Sequence, residues 1–139
     1  MTHWRLTGSV YFATWQLKKA QRELTSNERD VIVSALKYFD AKHYDLIGYV
    51  VMDDHVHVLV TPFDNYPLEK IVHSWKSYTA HKLQRESGRQ GKIWQEEYFD
   101  HIIRDENEFL EKAQYILTNP LKTWPEIEEY EWVWIKMES

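Results

Sequence analysis

The chain has 139 residues, the size of one domain; 43% are hydrophobic, with seven Trp and nine Tyr, which is enough for a packed core and argues against disorder. The absence of Cys excludes disulfides and thiolate sites, so any metal must be held by His, carboxylate or amide groups. The formal net charge of -5 runs against a strongly basic nucleic-acid binder, but the charge is uneven. In mid-chain, Lys76, Lys82, Arg85, Arg89 and Lys92 face one acid, Glu86, whereas beyond residue 104 nine acids meet three lysines. The opening "MTHWRLTGS" has no apolar signal-peptide core and no segment is long enough to span a membrane, so a cytoplasmic protein is expected.

In chain order, "GSVYFATWQLKK" (8–19) is rich in aromatic and β-branched residues and reads as a strand. In "LTSNERDVIVSALKYFDAKH", Val31, Ile32, Ala35, Leu36 and Phe39 recur at helical spacing, with Thr25, Ser26 or Asn27 as the cap. "YDLIGYVVMDD" and "HVHVLVTP" read as an antiparallel hairpin turning near Asp53 and Asp54. A second helix starts near Pro67, lines Leu68, Ile71, Val72, Trp75, Thr79 and Leu83 on one face, and stops at Gly88. A fourth strand is expected around 98–104. A third helix, "ENEFLEKAQYILTN", is expected to end at Pro120. The tail, about 121–139, holds Trp124, Trp132 and Trp134 and is expected to dock on the body or on a partner. No linker divides the chain, so 1–139 reads as one domain. The order β-α-β-β-α-β-α resembles a ferredoxin-like α+β arrangement, an antiparallel sheet with helices packed on one face.

Two features carry chemistry. On a strand, residues two apart share a face, so His55 and His57 point one way while Val56, Val58 and Val60 point to the core. The plain reading is two solvated histidines on a strand; the sharper one is a pair of ligands for a divalent metal. A histidine-triad hydrolase is set aside because the next alternate position is Leu59, and no HExxH motif is present. In the third helix, Phe109, Leu110, Ala113, Ile116 and Leu117 form an apolar stripe at about 100° per residue, and Tyr115 falls nearly opposite it, with Asn119 one turn on. A surface tyrosine is the plain reading here too. Taken together, a tyrosine nucleophile, His55, His57 and Asn119 fit attack on a phosphodiester polarised by a divalent metal. Tyr78 is a rival nucleophile, but Lys82 stands one turn on, where Tyr115 has an amide.

These segments resemble the single-tyrosine HUH transposases, and among them the REP-associated tyrosine transposases. "VVMDDHVHVLV" matches the family's His-hydrophobic-His strand, and "AQYILTNP" its Tyr-Ile-x-x-Asn-Pro segment. "GKIWQEEYFDHIIR" matches the Trp-Gln segment and the strand before the nucleophile helix, "GSVYFATWQL" the first strand, and "SWKSYTAHKL" the basic second helix. Many relatives have Pro-Asn or Pro-Asp before the first histidine, where this chain has Asp53 and Asp54; Asp54 is read as shaping the turn.

The resemblance implies an enzyme that cleaves and rejoins single-stranded or hairpin DNA. It makes Tyr115 the nucleophile, and His55, His57 and Asn119 the ligands of Mg²⁺ or Mn²⁺. Lys76, Lys82, Arg85, Arg89 and Lys92 are the expected DNA contacts, with Trp94 in the core. Relatives include dimers and monomers, so a homodimer in which the tyrosine helix serves the partner's metal site is one of two expected assemblies. No membrane partner is expected, and on DNA the protein would be nucleoid-associated. Two other readings are a non-catalytic single-strand binding module that keeps the fold and a metal-dependent phosphodiesterase that uses water.

Overall fold

The computed structural model describes residues 8–136; most of the segment read for a targeting signal, and the last three residues of the tail, lie outside the described residues. The elements run β1 (Tyr11–Gln16), α1 (Ser26–Tyr38), β2 (Tyr44–Val51), β3 (His55–Pro62), α2 (Leu68–Ser87), β4 (Phe99–Ile102), α3 (Glu106–Thr123) and β5 (Val133–Ile135). The fold is α+β, with one antiparallel sheet in the order β4-β1-β3-β2-β5. The first four strands have the order of a ferredoxin-like sheet, and β5 adds an edge beside β2.

Strand β3 is central. Val56, Val58 and Val60 are fully buried against Trp15, Ile32, Leu36, Ile71, Val72 and Trp75, the layer made by α1 and α2. Each buried valine contributes roughly 1.5–3 kcal/mol, so a one-residue slip of β3 would forfeit several such contributions at once. Helix α3 lies on the other face, where Ala113 and Ile116 pack on Val10, Ile47, Val50 and Leu59. The helices therefore cover both faces, two on one side and one on the other. The reason lies in β2, whose burial on both sides calls for a second apolar layer.

A β-bulge between Leu46 and Gly48 sets the faces of β2. Leu46 belongs to the α1/α2 layer and Ile47 to the α3 layer; beyond the extra residue, Tyr49 and Val51 face α1/α2 and Val50 faces α3. Gly48 is where β5 passes: a Cβ there would sit 2.4 Å from Ile135 Cδ1 and 3.0 Å from the Trp134 carbonyl oxygen. The tail lies on its own body. Tyr130 donates to the Val51 carbonyl (2.6 Å), Trp132 Nε1 donates to Asp30 (2.8 Å), and Arg29 lies over the Trp132 ring.

Local signals explain the helix ends. Thr25 is the cap of α1, in a box with Glu28: the Glu28 N–H donates to Thr25 Oγ1 and the Thr25 N–H to Glu28 Oε1. Gly88 ends α2 in the left-handed region. Helix α3 does not stop at Pro120 but runs on to Thr123. Pro120 is buried, and the Trp124 N–H donates to its carbonyl, so tertiary packing outweighs the bond lost to the proline ring.

Arg89 is the main correction to the expected DNA contacts. It is buried, forms a two-pronged pair with Glu28 (both 2.7 Å), and donates to the carbonyls of Arg22 and Glu23. It ties the loop after β1 and the start of α1 to the end of α2. A guanidinium with five donors suits that enclosed junction better than phosphate contact from it.

Burial works to raise the Glu28 carboxyl, but Arg89 and the Thr25 N–H outweigh it and hold it at about 2. Because the folded value lies below the ordinary 4.5, the pair stabilises the fold above that pH, and its contribution drains away as pH falls toward 2. Arg89→Ala, which strands a buried carboxylate, should lower the urea-unfolding free energy at pH 7 by about 3–5 kcal/mol; a loss under 1 kcal/mol would contradict this account. Glu28→Gln should flatten the loss of stability between pH 4.5 and 2. Gly48→Val should displace β5, read as faster hydrogen exchange at the Lys136 and Val51 amides, which donate to Ile47 and Trp132 respectively.

Candidate active site

His57 and Thr14 face each other across β1 and β3, and Thr14 Oγ1 lies 2.7 Å from His57 Nδ1. Asp54 Oδ1 lies 2.7 Å from His55 Nδ1. Asp54 therefore does more than shape the turn, where its carbonyl accepts from the Leu17 N–H; its carboxylate also orients an imidazole. With the proton of each ring on Nδ1, both Nε2 atoms keep free lone pairs. His57 Nε2 is buried and meets no hydrogen-bond partner. His55 Nε2 lies 3.2 Å from Asn119 Oδ1, so two acceptors face each other.

Asn119 reaches this point because α3 is rotated from the expected stripe. Leu110 and Leu117 are exposed, whereas Ala113, Ile116, Asn119 and Pro120 face the sheet. The surface beneath is part polar, and it takes the amide rather than two leucines. Tyr115 thus sits on the flank of the buried face, 36% exposed, and not opposite it. Its ring centroid is 5.1 Å from that of His57 and 6.1 Å from that of Phe12, and Phe12 stacks on His57 at 5.3 Å. One chain brings Tyr115, His55, His57 and Asn119 together.

Among the described residues, no three of His, Cys, Asp and Glu form a metal-holding group, so the donor set here is two imidazoles and an amide. Burial, then the positive potential of His55, Lys122 and Lys112, pushes the His57 imidazolium down to about 3. His57 is thus neutral at neutral pH.

The mid-chain cations lie elsewhere. Helix α2 packs on the opposite face of the sheet, away from the histidines. Lys76 Nζ donates to the Gln95 and Glu96 carbonyls, Lys82 pairs with Glu86, and Lys92 with Glu96. Arg85 is exposed and, among the described residues, forms no ion pair. Tyr78 also sits on α2, half exposed, remote from the histidine pair. Trp94 is buried, donates to Thr79 Oγ1 and sets its ring edge-on to Trp15.

Four groups near the site escaped the sequence reading: Phe12, Thr14, Lys112 and Lys122. Lys122 Nζ lies 4.1 Å from the Tyr115 ring centroid, and Lys112 Nζ 5.2 Å from that of Phe12. Their spacing from Tyr115 on α3 was available in the sequence; the cross-strand neighbours needed the register. A cleft of about 310 Å³ lined by Gln16, Lys18, Lys19, Asp54 and Gln95 opens beside His55. A larger groove of about 1040 Å³ opens around Tyr11, Tyr66 and Tyr98 and contains none of these groups, so the chemistry and not the size locates the site.

A profile of the family "Transposase IS200 like" matches residues 10–119. The chain belongs to this family of transposases, DNA-processing enzymes. Within it, the chain is similar to the REP-associated tyrosine transposases: it is 26% identical over 128 residues to one assigned in Haemophilus influenzae (strain Rd), covering 83% of this chain and 72% of that protein. The solved structure of a REP-associated tyrosine transposase bound to a REP hairpin superposes with a TM-score of 0.70 at 22% identity, over 88% of this chain and 74% of the other. A transposase structure from Deinococcus radiodurans R1 gives 0.58 at 18% identity, over 85% and 96%. At these identities the two structures speak for the fold. Among the described residues, no helix is long and apolar enough to cross a membrane.

The imidazole chemistry is testable without metal. In imidazole ¹H–¹⁵N spectra, His57 should keep the neutral pattern down to about pH 3. The unfolded chain binds the proton that the folded one refuses, so His57 costs stability as pH drops below 6.5. Charging of His57 near pH 6.5 would contradict its enclosure.

Proposed function

We propose that the protein cleaves and rejoins single-stranded or hairpin DNA through a covalent bond to Tyr115. The observation that carries this reading is the convergence, within one chain, of the Tyr115 ring on His57, whose buried Nε2 has no partner, and of His55 Nε2 on Asn119 Oδ1. Similarity to a transposase solved with a REP hairpin supports hairpin DNA as the substrate class.

His55, His57 and Asn119 would hold Mg²⁺ or Mn²⁺, which supplies Lewis-acid polarisation of the scissile phosphate. The free lone pairs on both Nε2 atoms fit such an ion. Asp54 and Thr14 orient the imidazoles, and neutral ligands leave the cation's charge undiminished for an anionic substrate. The exposed phenol of Tyr115 attacks phosphorus and its proton passes to water. The new phosphorus–oxygen bond replaces the bond to the 3′-oxygen, which takes a proton and leaves as a 3′-hydroxyl. A 3′-hydroxyl attacking the phosphotyrosine reverses the step and reseals the strand. Bond energy is conserved, so no nucleotide cofactor is needed. The closeness of these groups within one chain supports chemistry within a single subunit.

With a hairpin oligonucleotide bearing single-stranded flanks and Mn²⁺, the protein should give an adduct that survives denaturing electrophoresis. Tyr115→Phe should abolish it, and an undiminished adduct in that variant would rule out this nucleophile. His57→Ala should remove metal-dependent cleavage while leaving most DNA affinity. Asp54→Ala should weaken Mn²⁺ binding by about 10- to 100-fold in titration calorimetry, the usual cost of losing a carboxylate behind a ligand histidine. DNA binding with no adduct across metals would favour a non-catalytic binding module.

A further inference from the structure

We propose that Lys112 and Lys122 are the phosphate-holding residues of this site, gripping the DNA backbone on either side of the scissile phosphate and seating it over Tyr115. The proposal rests on the reading of Tyr115 as nucleophile, but it draws on separate observations.

The first is placement. Lys112, Tyr115, Asn119 and Lys122 stand at i, i+3, i+7 and i+10 on α3, one strip of a helix. The two lysine Cα atoms are about 15 Å apart along the axis, with Tyr115 and Asn119 between them. Long, flexible side chains at those ends can reach phosphates up- and downstream of one lying over the phenol.

The second is direction. Neither ammonium turns away to solvent from the strip. Lys122 Nζ lies 4.1 Å from the Tyr115 ring centroid, and Lys112 Nζ 5.2 Å from that of Phe12, whose ring stacks on His57. A cation over one ring is ordinary packing. Two cations over adjoining rings of one site make a positive rim around it.

The third is the lack of carboxylate partners. The chain has 22 acids against 17 Lys and Arg, yet among the described residues neither lysine forms an ion pair. Carboxylates stand within four residues of each in the sequence. Glu108, one turn before Lys112, is engaged by His101 and Arg104 instead, and Glu126, four residues after Lys122, is exposed. By contrast, three of the five expected DNA contacts, Lys82, Arg89 and Lys92, are paired with glutamates, and Lys76 donates to backbone carbonyls. Lys112 and Lys122 are thus the unpaired cations beside the Phe12 and Tyr115 rings, while Lys18 and Lys19 line the cleft beside His55 and Arg85 stands exposed on α2.

The test uses the full chain, with Lys112→Gln, Lys122→Gln, the arginine variants at both positions, and Lys82→Gln as a control. Affinity for a fluorescein-labelled hairpin with single-stranded flanks is measured by anisotropy over a salt series. Each Gln variant should reduce the slope of log K against log salt by about 0.7, the value for one single-strand phosphate contact. Lys82→Gln should leave it unchanged. Adduct formation at saturating DNA should slow at least about tenfold per glutamine and recover in the arginine variants. Methylphosphonates placed one at a time around the cleavage point should each cost the wild type affinity, and at one position each Gln variant should lose nothing more. Unchanged slopes and rates would overturn the proposal. Equal methylphosphonate losses in wild type and variants would also overturn it, by showing that the lysines only pack on rings. If the wild type forms no adduct at all, the strand-transfer reading falls, and the salt slopes and methylphosphonate pairing still decide whether these lysines hold phosphate.

Discussion

Strand β3 has a partner along each edge, and its alternation divides the molecule into a structural face and a chemical one. Every second side chain, Val56, Val58 and Val60, is committed to the layer under α1 and α2. The residues between them have no choice of direction, so His55 and His57 must face α3. Pairing with β1 then sets Thr14 beside His57, and the β2–β3 turn sets Asp54 beside His55. Histidines on an exposed edge strand could turn or slip. Here the apolar burial of one face holds the polar groups of the other in register.

Helix α3 completes the arrangement by giving up some of its hydrophobic burial. Its most apolar stripe would place Leu110 and Leu117 on the sheet, yet both are exposed and Asn119 is buried. Tyr115 comes to the rim of the contact, where its ring touches His57 while a third of it stays open. A helix packed for stability alone would turn the other way. Tertiary packing overrides local preference at the candidate site.

The opposite face is held by different means. Arg89 is enclosed at the junction of the β1–α1 loop and the end of α2, where Glu28 neutralises it and the Arg22 and Glu23 carbonyls and the Gln21 side-chain oxygen take its remaining donors. Lys76 binds the backbone of the Trp-Gln segment, and Trp94 hangs from Thr79 within the core. A run of positive charge that looks like a nucleic-acid surface in the sequence is, at these positions, scaffolding. Lys112 and Lys122, the cations beside the Phe12 and Tyr115 rings, lie in the acidic quarter of the chain, where net charge conceals them.

Periodicity by itself determined the strands and helices up to α3, the capping at Thr25 or its neighbours, the stop at Gly88, and the shared face of His55 and His57. These are local consequences of residues two, three or four apart. The family pattern singled out Tyr115 and Asn119 at the same stage. Only the tertiary structure decided which face α3 covers, how far it is rotated, that it runs past Pro120, that β5 closes the edge of β2, and that Arg89 is buried. Each of these depends on contacts between residues distant in sequence, such as Asn119 with His55 or Arg89 with Glu28, and no local spacing encodes which of two exposed-looking charges will find a partner.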